Sequence, residues 1–573
     1  MIVSSLSRRF GQFLVGGLCA GALVAVRGDA RACGCFTPPD PSVPVVQAGE
    51  RIVFAAKDGQ IEAHIQIQYK GDAKEFGWLL PLPTQPTLDL GSDELFNQIV
   101  ARTQPKYRLT TNNTCGNSPA FAFGGANDSA EAPKGAGESS PLVIQDSIGP
   151  YDYAVLKADS KQPMLDWLKA NNYFVPAGTD TVVSQYVHAG AFFLALKLKS
   201  GKSAGDLQPV VVRYPSDLPM IPIVLTSVTA QLDMGIQVWM LGAGRAIPRN
   251  YYHTVINDAA IDWQTSGSNY NDVIIRATKE AEGRHTFVTE FAGASTVMQG
   301  ALVPAGRFGS AADLKVITDP VQYVEYLQQH QFAALSTSQN NGFPFNPGFN
   351  TFGGPLLALL EAAIPEPPAI AAQNVTPAQF YQGIANWLGD YRAQHPDQFV
   401  GIDYKYDPIK LTNDIWDRVV TPVQKADALF ADYKYLTRLY TTLSPEQMNR
   451  DPVFSYNPSL PDVSNVHNAT LTINCNWLGH TDTSTLVTEQ GFVLQYPGGT
   501  TITAPTSVPG SLRIEVLRET GAPEVLTDNL GAIQSQLGQG GGCNVSARGD
   551  AGRGLTVLVL GALALVASRR RRR

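Results

Sequence analysis

AGERIVFAAKDGQIEAHIQIQYKGDAKEFGWLLPLP, residues 48–83, decides the first part of the fold. Asp58-Gly59 divides two β-prone runs. Asp-Gly at such a place predicts a type I′ hairpin, because both central residues must take positive φ. Folding the chain there sets Lys57 opposite Gln60, Ala56 opposite Ile61, Phe54 opposite Ala63 and Ile52 opposite Ile65. The last three pairs are apolar and share one face. The other face carries Ala55 with Glu62, Val53 with His64 and Arg51 with Gln66. A slip of one residue would turn every side chain over, so the pattern predicts a single register. It also predicts a sheet covered on one side and wet on the other. A third run, Phe76 to Leu80, stops at Pro81 and Pro83 and is expected to complete a three-stranded block.

Outward from this block the first half alternates strands with single helices. Ser92 is placed to cap a short helix with Leu95, Phe96, Ile99 and Val100 on one face, ended by Pro105. Strands are expected at Tyr107–Thr111, Leu142–Ile144, Tyr151–Lys157, Phe192–Lys199, Leu207–Tyr214, Ile223–Leu232, Ile236–Leu241 and His285–Phe291. Helices are expected after Ser160 and over Asn271–Ala281. Residues 112–141 read as a polar surface loop. After residue 310 the texture turns helical, with Ala311–Leu327, Pro355–Ala363, Pro377–His395 and Asn413–Tyr440 as candidates. Strands return at Ala469–Asn474, Ser484–Gln495 and Ser511–Val516. The fold class this implies is α+β: mainly antiparallel sheet with short helices, a helical middle segment and a small β-rich end. The expected divisions are residues 1–32, 33–309, 310–466, 467–537 and 538–573.

The two ends carry an address. Arg8 and Arg9, an apolar run from Phe13 to Val26, and Ala30-Arg31-Ala32 form an export signal, with cleavage expected before Cys33. Ser7-Arg8-Arg9 also opens like a twin-arginine signal, but Phe10-Gly11-Gln12 departs from that pattern. At the other end, Gly538–Gly542 precedes Cys543, a polar spacer, an apolar run from Leu555 to Ala567 and five arginines, Arg569–Arg573. The apolar run is short beside the ~20 residues a membrane helix usually needs. The arginine block favours the cytoplasmic side. Without residues 1–32 and 544–573, the body holds 32 basic and 48 acidic residues. Such an acidic body argues against nucleic acid or anionic lipid as a partner. Of six cysteines, Cys33, Cys35, Cys115 and Cys475 remain in the body. An even number in an oxidising compartment predicts two disulfides. Cys33 and Cys35 are too close to pair with each other, so each is expected to reach Cys115 or Cys475.

CGCFTPP at 33–39, QAGERIVFA at 47–55, HIQIQYKGDAKEFGWLLPLP at 64–83 and VVVRYPSDLPMIP at 210–222 resemble, in order, the domain of unknown function 2330 family. VWMLGAGRAIPRNY at 238–251 and YLTRLYTTLSPEQMNRDPVF at 435–454 fit the same resemblance, which extends from residue 33 to about 480. It implies an exported bacterial protein and brings no activity, catalytic residue or cofactor. The tail resembles a MYXO-CTERM type sorting signal. That likeness implies removal near Cys543 by a sortase-like protease and display at the cell surface. The simpler alternative is a retained C-terminal membrane anchor.

Chemistry is thinly signalled. The chain has no Gly-x-Ser-x-Gly, His-Glu-x-x-His, phosphate-binding loop or EF-hand pattern, and no cofactor is expected. His64 with Glu62, beside Gln66 and Gln68, has the makings of an acid–base pair or binding surface; a solvated sheet face explains them more simply. Asp217, in a stiff Pro-rich loop, reads first as a turn residue. Asp403 and Asp407 are too sparse for a calcium loop. His467 and His480 flank Cys475 without completing a zinc set. Trp78, Trp167 and Trp387 sit in apolar patterns, and core packing explains them more simply than a carbohydrate platform. The expectation is an exported, envelope- or surface-anchored binding or structural protein without enzymatic activity. The alternatives are an extracellular hydrolase with a site in the first domain and a scaffold for another envelope protein.

Overall fold

The computed structural model describes residues 48–66, 77–113, 142–171, 173, 178–200, 207–228, 230–335, 352–475, 481–497 and 502–538. The hairpin has the expected register. Strands Ala48–Lys57 and Gln60–Gln66 pair from Lys57 with Gln60 to Arg51 with Gln66. Asp58 and Gly59 take φ of 53° and 70°, the two positive values a type I′ turn requires.

Its surroundings differ from the expectation. The other neighbour of Ala48–Lys57 is Met234–Gly242, lying parallel with Ile52 opposite Val238 and Phe54 opposite Met240. Met234–Gly242 pairs antiparallel with Tyr435–Leu443, which pairs with Thr286–Ala294. The sheet continues through Tyr252–Ile256 and Ser511–Val516 to Glu524–Asp528. On the far side of the hairpin come Val210–Pro215 and Thr87–Leu90, making ten strands. Strands from both sides of residues 309 and 466 thus enter one sheet.

Neither face of this sheet is wet at the hairpin. Ile52, Phe54, Ile61, Ala63 and Ile65 join Ile236, Val238 and Met240 in one core. Val53 and Ala55, on the opposite face, join Trp239 and Leu241 in another, packed against helical residues between Met298 and Phe430. The middle segment covers the face that alternation marks as exposed, so Val53 is 0% and His64 1% accessible. The chain signals this double cover at Met234–Gly242, which is nearly all buried and reads as a continuous apolar run rather than an alternating one.

The cap at Ser92 forms as expected. Its Oγ accepts from Glu94 N at 3.2 Å and starts the helix Asp93–Thr103. Leu95, Phe96 and Ile99 are fully buried. Phe96 meets the Trp239 ring edge-on at 6.2 Å, and the Trp239 indole donates to Thr103 Oγ1 at 3.0 Å.

The run after the hairpin does not extend it. Gly77–Leu82 is the edge of a separate four-stranded sheet with Phe192–Leu198, Tyr151–Lys157 and Leu142–Ile148. It continues through Pro81, because an edge strand has one row of backbone groups with no ladder to complete. Leu80, Leu82, Val155, Leu194 and Leu196 face the large sheet. Ala154, Leu156, Phe193 and Ala195 face the helix Lys161–Ala170 through Met164, Leu165, Trp167 and Leu168.

Three further expectations are corrected. Ile223–Leu232 is no strand; Ile223–Thr226 is a single helical turn after Pro222, where the chain must bend. Pro377–His395 is not one helix. Pro377–Gln382 ends at Gly383, and a wider π-type turn follows over Asn386–Tyr391. Helix formers before Asp432 do form Pro408–Ile415 and Thr421–Asp432, but Tyr435–Leu443 is a buried central strand rich in Thr, Tyr and Leu. The fold class is nevertheless α+β with mainly antiparallel pairing.

Candidate functional site

The two sheets do not close completely on each other. Between them lies a cavity of about 220 Å³, partly open to solvent. One wall is the large sheet: Glu50, Ile52, Phe54, Ala63, Ile65 and Tyr214. The other is the edge strand, with Trp78, Leu80 and Leu82. Tyr186, His188, Ser216, Leu218 and Met220 also line it. The strings AGERIVFA, WLLPLP and SDLPMIP, far apart in sequence, meet here. The walls are mostly apolar with a few polar groups, the usual composition of a small-molecule site.

Glu50 is the unusual member. The residue as a whole is half-buried, but its Oε2 is sealed from solvent and has no hydrogen-bond partner. Burial, aided by the nearby Asp451 charge, pushes the carboxyl up to about 7. Asp451 stands behind the cavity wall, where its Oδ1 accepts from the Tyr186 hydroxyl at 2.9 Å and from Val224 N at 3.0 Å. Its own carboxyl is also raised by burial, against the pull of those hydrogen bonds. The sequence signal was present but weak: Glu50 lies two residues before Ile52 and so shares the apolar face of its strand.

The residues singled out from sequence fall elsewhere. His64 Nε2 is 2.8 Å from Glu62 Oε1, and Arg213 clamps the same carboxylate at 2.7 and 3.1 Å. Burial raises the Glu62 pKa, but the bonds from His64 and Arg213 outweigh it and hold the group at about 2. Gln66 binds Asp93 at 2.7 Å. These residues anchor the sheet beneath the helical layer rather than presenting an open polar surface. Asp217 is exposed on the cavity rim between Ser216 and Leu218. Asp403 pairs with Lys405 at 2.8 Å, and Asp407 caps the helix Pro408–Ile415 through Ile409 N and Lys410 N. His467 stacks on Tyr107 at 4.9 Å and is pushed below its usual pKa by burial. Trp78 lines the cavity, Trp167 is core, and Trp387 packs edge-on to Tyr391. Cys475 is disulfide-bonded to a partner outside the described residues. Gln68, His480, Ala30, Ala32, Cys33, Cys35, Cys115 and Cys543 lie outside the described residues.

A second polar cluster escaped the sequence reading altogether. His253 Nδ1 is 3.3 Å from Glu515 Oε2, and its Nε2 is 3.0 Å from Thr289 Oγ1. This is the connectivity of a nucleophile, base and orienting acid. Arg245, however, donates to Thr289 Oγ1 at 3.2 Å and lies against the same imidazole nitrogen. All four residues are 3–8% accessible. Burial first, and the Arg245 charge second, push His253 below its usual pKa despite Glu515. The cluster joins three strands of the large sheet to Arg245–Pro248 and leaves a substrate no approach to Thr289.

The fold and cavity define a class: a layered α+β protein with a small, largely apolar cavity between two sheets. The chain belongs to the family described as uncharacterized protein conserved in bacteria (DUF2330), whose model matches residues 29–343. The match stops short of the expected limit near 480, and so excludes the central strand Tyr435–Leu443. No curated protein and no solved structure matches the chain.

Proposed function

We propose that this chain is an exported, envelope- or surface-anchored binding protein without enzymatic activity, and that the cavity at Glu50 is its ligand site. The observation that carries the reading is a sealed carboxyl oxygen without a partner beside a cavity between apolar walls. A buried polar atom left unpaired costs about 1–3 kcal/mol, which a ligand donor recovers once the Glu50 carboxyl turns toward the cavity. Export is supported by Arg8, Arg9, the apolar run and Ala30-Arg31-Ala32; anchoring is supported by Cys543, the apolar run and the arginine block. Among the described residues no helix is long and apolar enough to cross a membrane. The sequence pattern of residues 538–573 supports the membrane as a partner through that tail, before any cleavage by a sortase-like protease.

The disulfide partner of Cys475 belongs to the same proposal. Lys106–Asn113 runs parallel to Val466–Cys475 with Asn113 opposite Ile473, so both chains lead two residues further to a cysteine, Cys115 and Cys475. This pairing replaces the expectation that Cys33 or Cys35 takes Cys475.

The site is tested by filling it. Ala63 lines the cavity and is 2% accessible. Titration calorimetry with 2-phenylethanol should give saturable binding to the full chain and none to Ala63→Leu. Equal binding by the two proteins, or no binding of either 2-phenylethanol or 2-phenylethylamine by the unaltered protein, defeats the site. Anchoring is tested by fractionating cells that carry Cys543→Ala. Changed processing or surface display supports the sorting signal, and an unchanged distribution returns the tail to a plain anchor.

A further inference from the structure

We infer that the cavity between the sheets takes an organic ammonium: a cationic nitrogen seated at Glu50, carried on an apolar body of one ring and a short chain. This rests on the reading of the cavity as the ligand site and adds the class of ligand.

The charge argument excludes anions first. Among the described residues no Lys or Arg lines the cavity. Among the described residues the titratable groups near Glu50 or in the same lining are Asp451, behind the wall, and the exposed His188; Tyr186 and Tyr214 add hydroxyls to the lining. An anionic ligand would meet two carboxyls with no fixed cation. A metal ion fits no better. Among the described residues no group of three or more His, Cys, Asp or Glu converges on a point. A hard cation such as calcium takes about 6–8 oxygens, which walls of Ile52, Phe54 and Leu80 do not provide.

A neutral donor would satisfy Oε2 but leave the larger difficulty. Glu50 and Asp451 each carry a carboxyl raised by burial, and the charge of Asp451 raises Glu50 further. A cation beside Glu50 relieves both the missing partner and the repulsion between the carboxyls. The volume sets the body. About 220 Å³ exceeds the roughly 150 Å³ of an apolar cavity that accommodates benzene. One ring with a two-carbon arm therefore fits.

Binding by this route has a proton signature. An ammonium favours the carboxylate form of Glu50, so association near neutral pH drives a proton from the carboxyl into the buffer.

The test compares 2-phenylethylamine with 2-phenylethanol, which share one body. Full-length protein is titrated calorimetrically at about pH 6.5, below the raised pKa, in two buffers of different ionisation heat. The amine is expected to bind at least ~10-fold more tightly than the alcohol, as a charge-assisted bond in a buried site predicts. It should also release a proton. Glu50→Gln should abolish the release and bring the two affinities within about 3-fold, because only the charged partner has gone. The proton count on the unaltered protein needs no variant, so the test survives if Glu50→Gln fails to fold. Equal binding of amine and alcohol without proton release overturns the ammonium while leaving the cavity as a site. Binding of neither, or binding of both unaffected by Ala63→Leu, overturns the cavity and this inference with it.

Discussion

Arg438 is the residue whose loss should damage the fold most specifically. It lies on Tyr435–Leu443, and its side chain and that of its partner Glu290, on Thr286–Ala294, are both fully buried. Arg438 Nε sits 2.5 Å from Glu290 Oε2, and Tyr270 donates to the other carboxylate oxygen at 2.6 Å. The guanidinium also reaches Val100 O at 3.3 Å and Thr103 Oγ1 at 3.4 Å, and stands 5.3 Å from the Trp239 ring centre. It therefore ties the helix Asp93–Thr103 to the centre of the large sheet. Arg438→Met keeps most of the stem but strands the Glu290 carboxylate in a dry site, which costs about 3–5 kcal/mol. The cation over Trp239 is lost in the single and the double variant alike, so it cancels from their comparison. Adding Glu290→Gln removes the stranded charge and still offers Tyr270 an acceptor. The double variant should then lie only about 1–2 kcal/mol below the parent. Urea unfolding followed by tryptophan fluorescence reads the difference as a midpoint shift at constant slope. The second substitution is thus expected to restore about 2 kcal/mol. If the double variant is no more stable than Arg438→Met, the arginine acts by filling space and the counter-ion argument is wrong.

Glu50 and Glu62 face opposite sides of the sheet and should shape the pH profile in opposite senses. Glu50 is raised from 4.5 to about 7. The folded state holds that proton more tightly, so stability is greatest below the unfolded value and falls as pH rises through about 7. Glu50→Gln should raise the melting temperature at about pH 8, by the equivalent of roughly 3 kcal/mol at most; a lower value there would contradict the account. Glu62 is lowered from 4.5 to about 2, so its contribution is present above the unfolded value and lost as pH falls through about 2. Glu62→Gln should lower stability near neutrality and flatten the acid limb of the melting curve. Gly510→Ala would set a Cβ 2.7 Å from Ala277 N and 3.0 Å from Val273 O, backbone atoms of the helix Tyr270–Lys279 that cannot move aside. A cost of about 1–3 kcal/mol is expected, against no loss for the control Gly389→Ala, which has open space. Non-reducing peptide mapping should join the Cys475 peptide to that of Cys115. A Cys475 link to the Cys33–Cys35 peptide would refute the register argument.

The candidate site was less legible than the fold because its signal is an exception to a pattern. Alternation shows that Glu50 shares a face with Ile52 and Phe54, but an acidic residue near a strand end is ordinary when that end reaches water. Only the assembly of the whole chain turns it into a sealed carboxyl in the lining of a cavity. His64 and Glu62 misled for the converse reason. Alternation correctly put them on the second face, but it cannot say what covers that face. The helical layer between Met298 and Phe430 makes them part of an interior ion network.

What the chain determines by itself is local. Asp58-Gly59, with the two-residue period on either side, specifies a hairpin register because turn geometry and pleat act over a few residues. Ser92 and the apolar positions after it specify a capped helix for the same reason. The tertiary structure alone decided that Ala48–Lys57 takes Met234–Gly242 as its parallel neighbour, and that Tyr435–Leu443 is a central strand. It also decided that two sheets leave a cavity at Glu50. A ladder is built from backbone groups that every residue carries, so the identity of a distant partner is not written in either strand. It is settled by which apolar faces can be buried together once the whole chain is assembled.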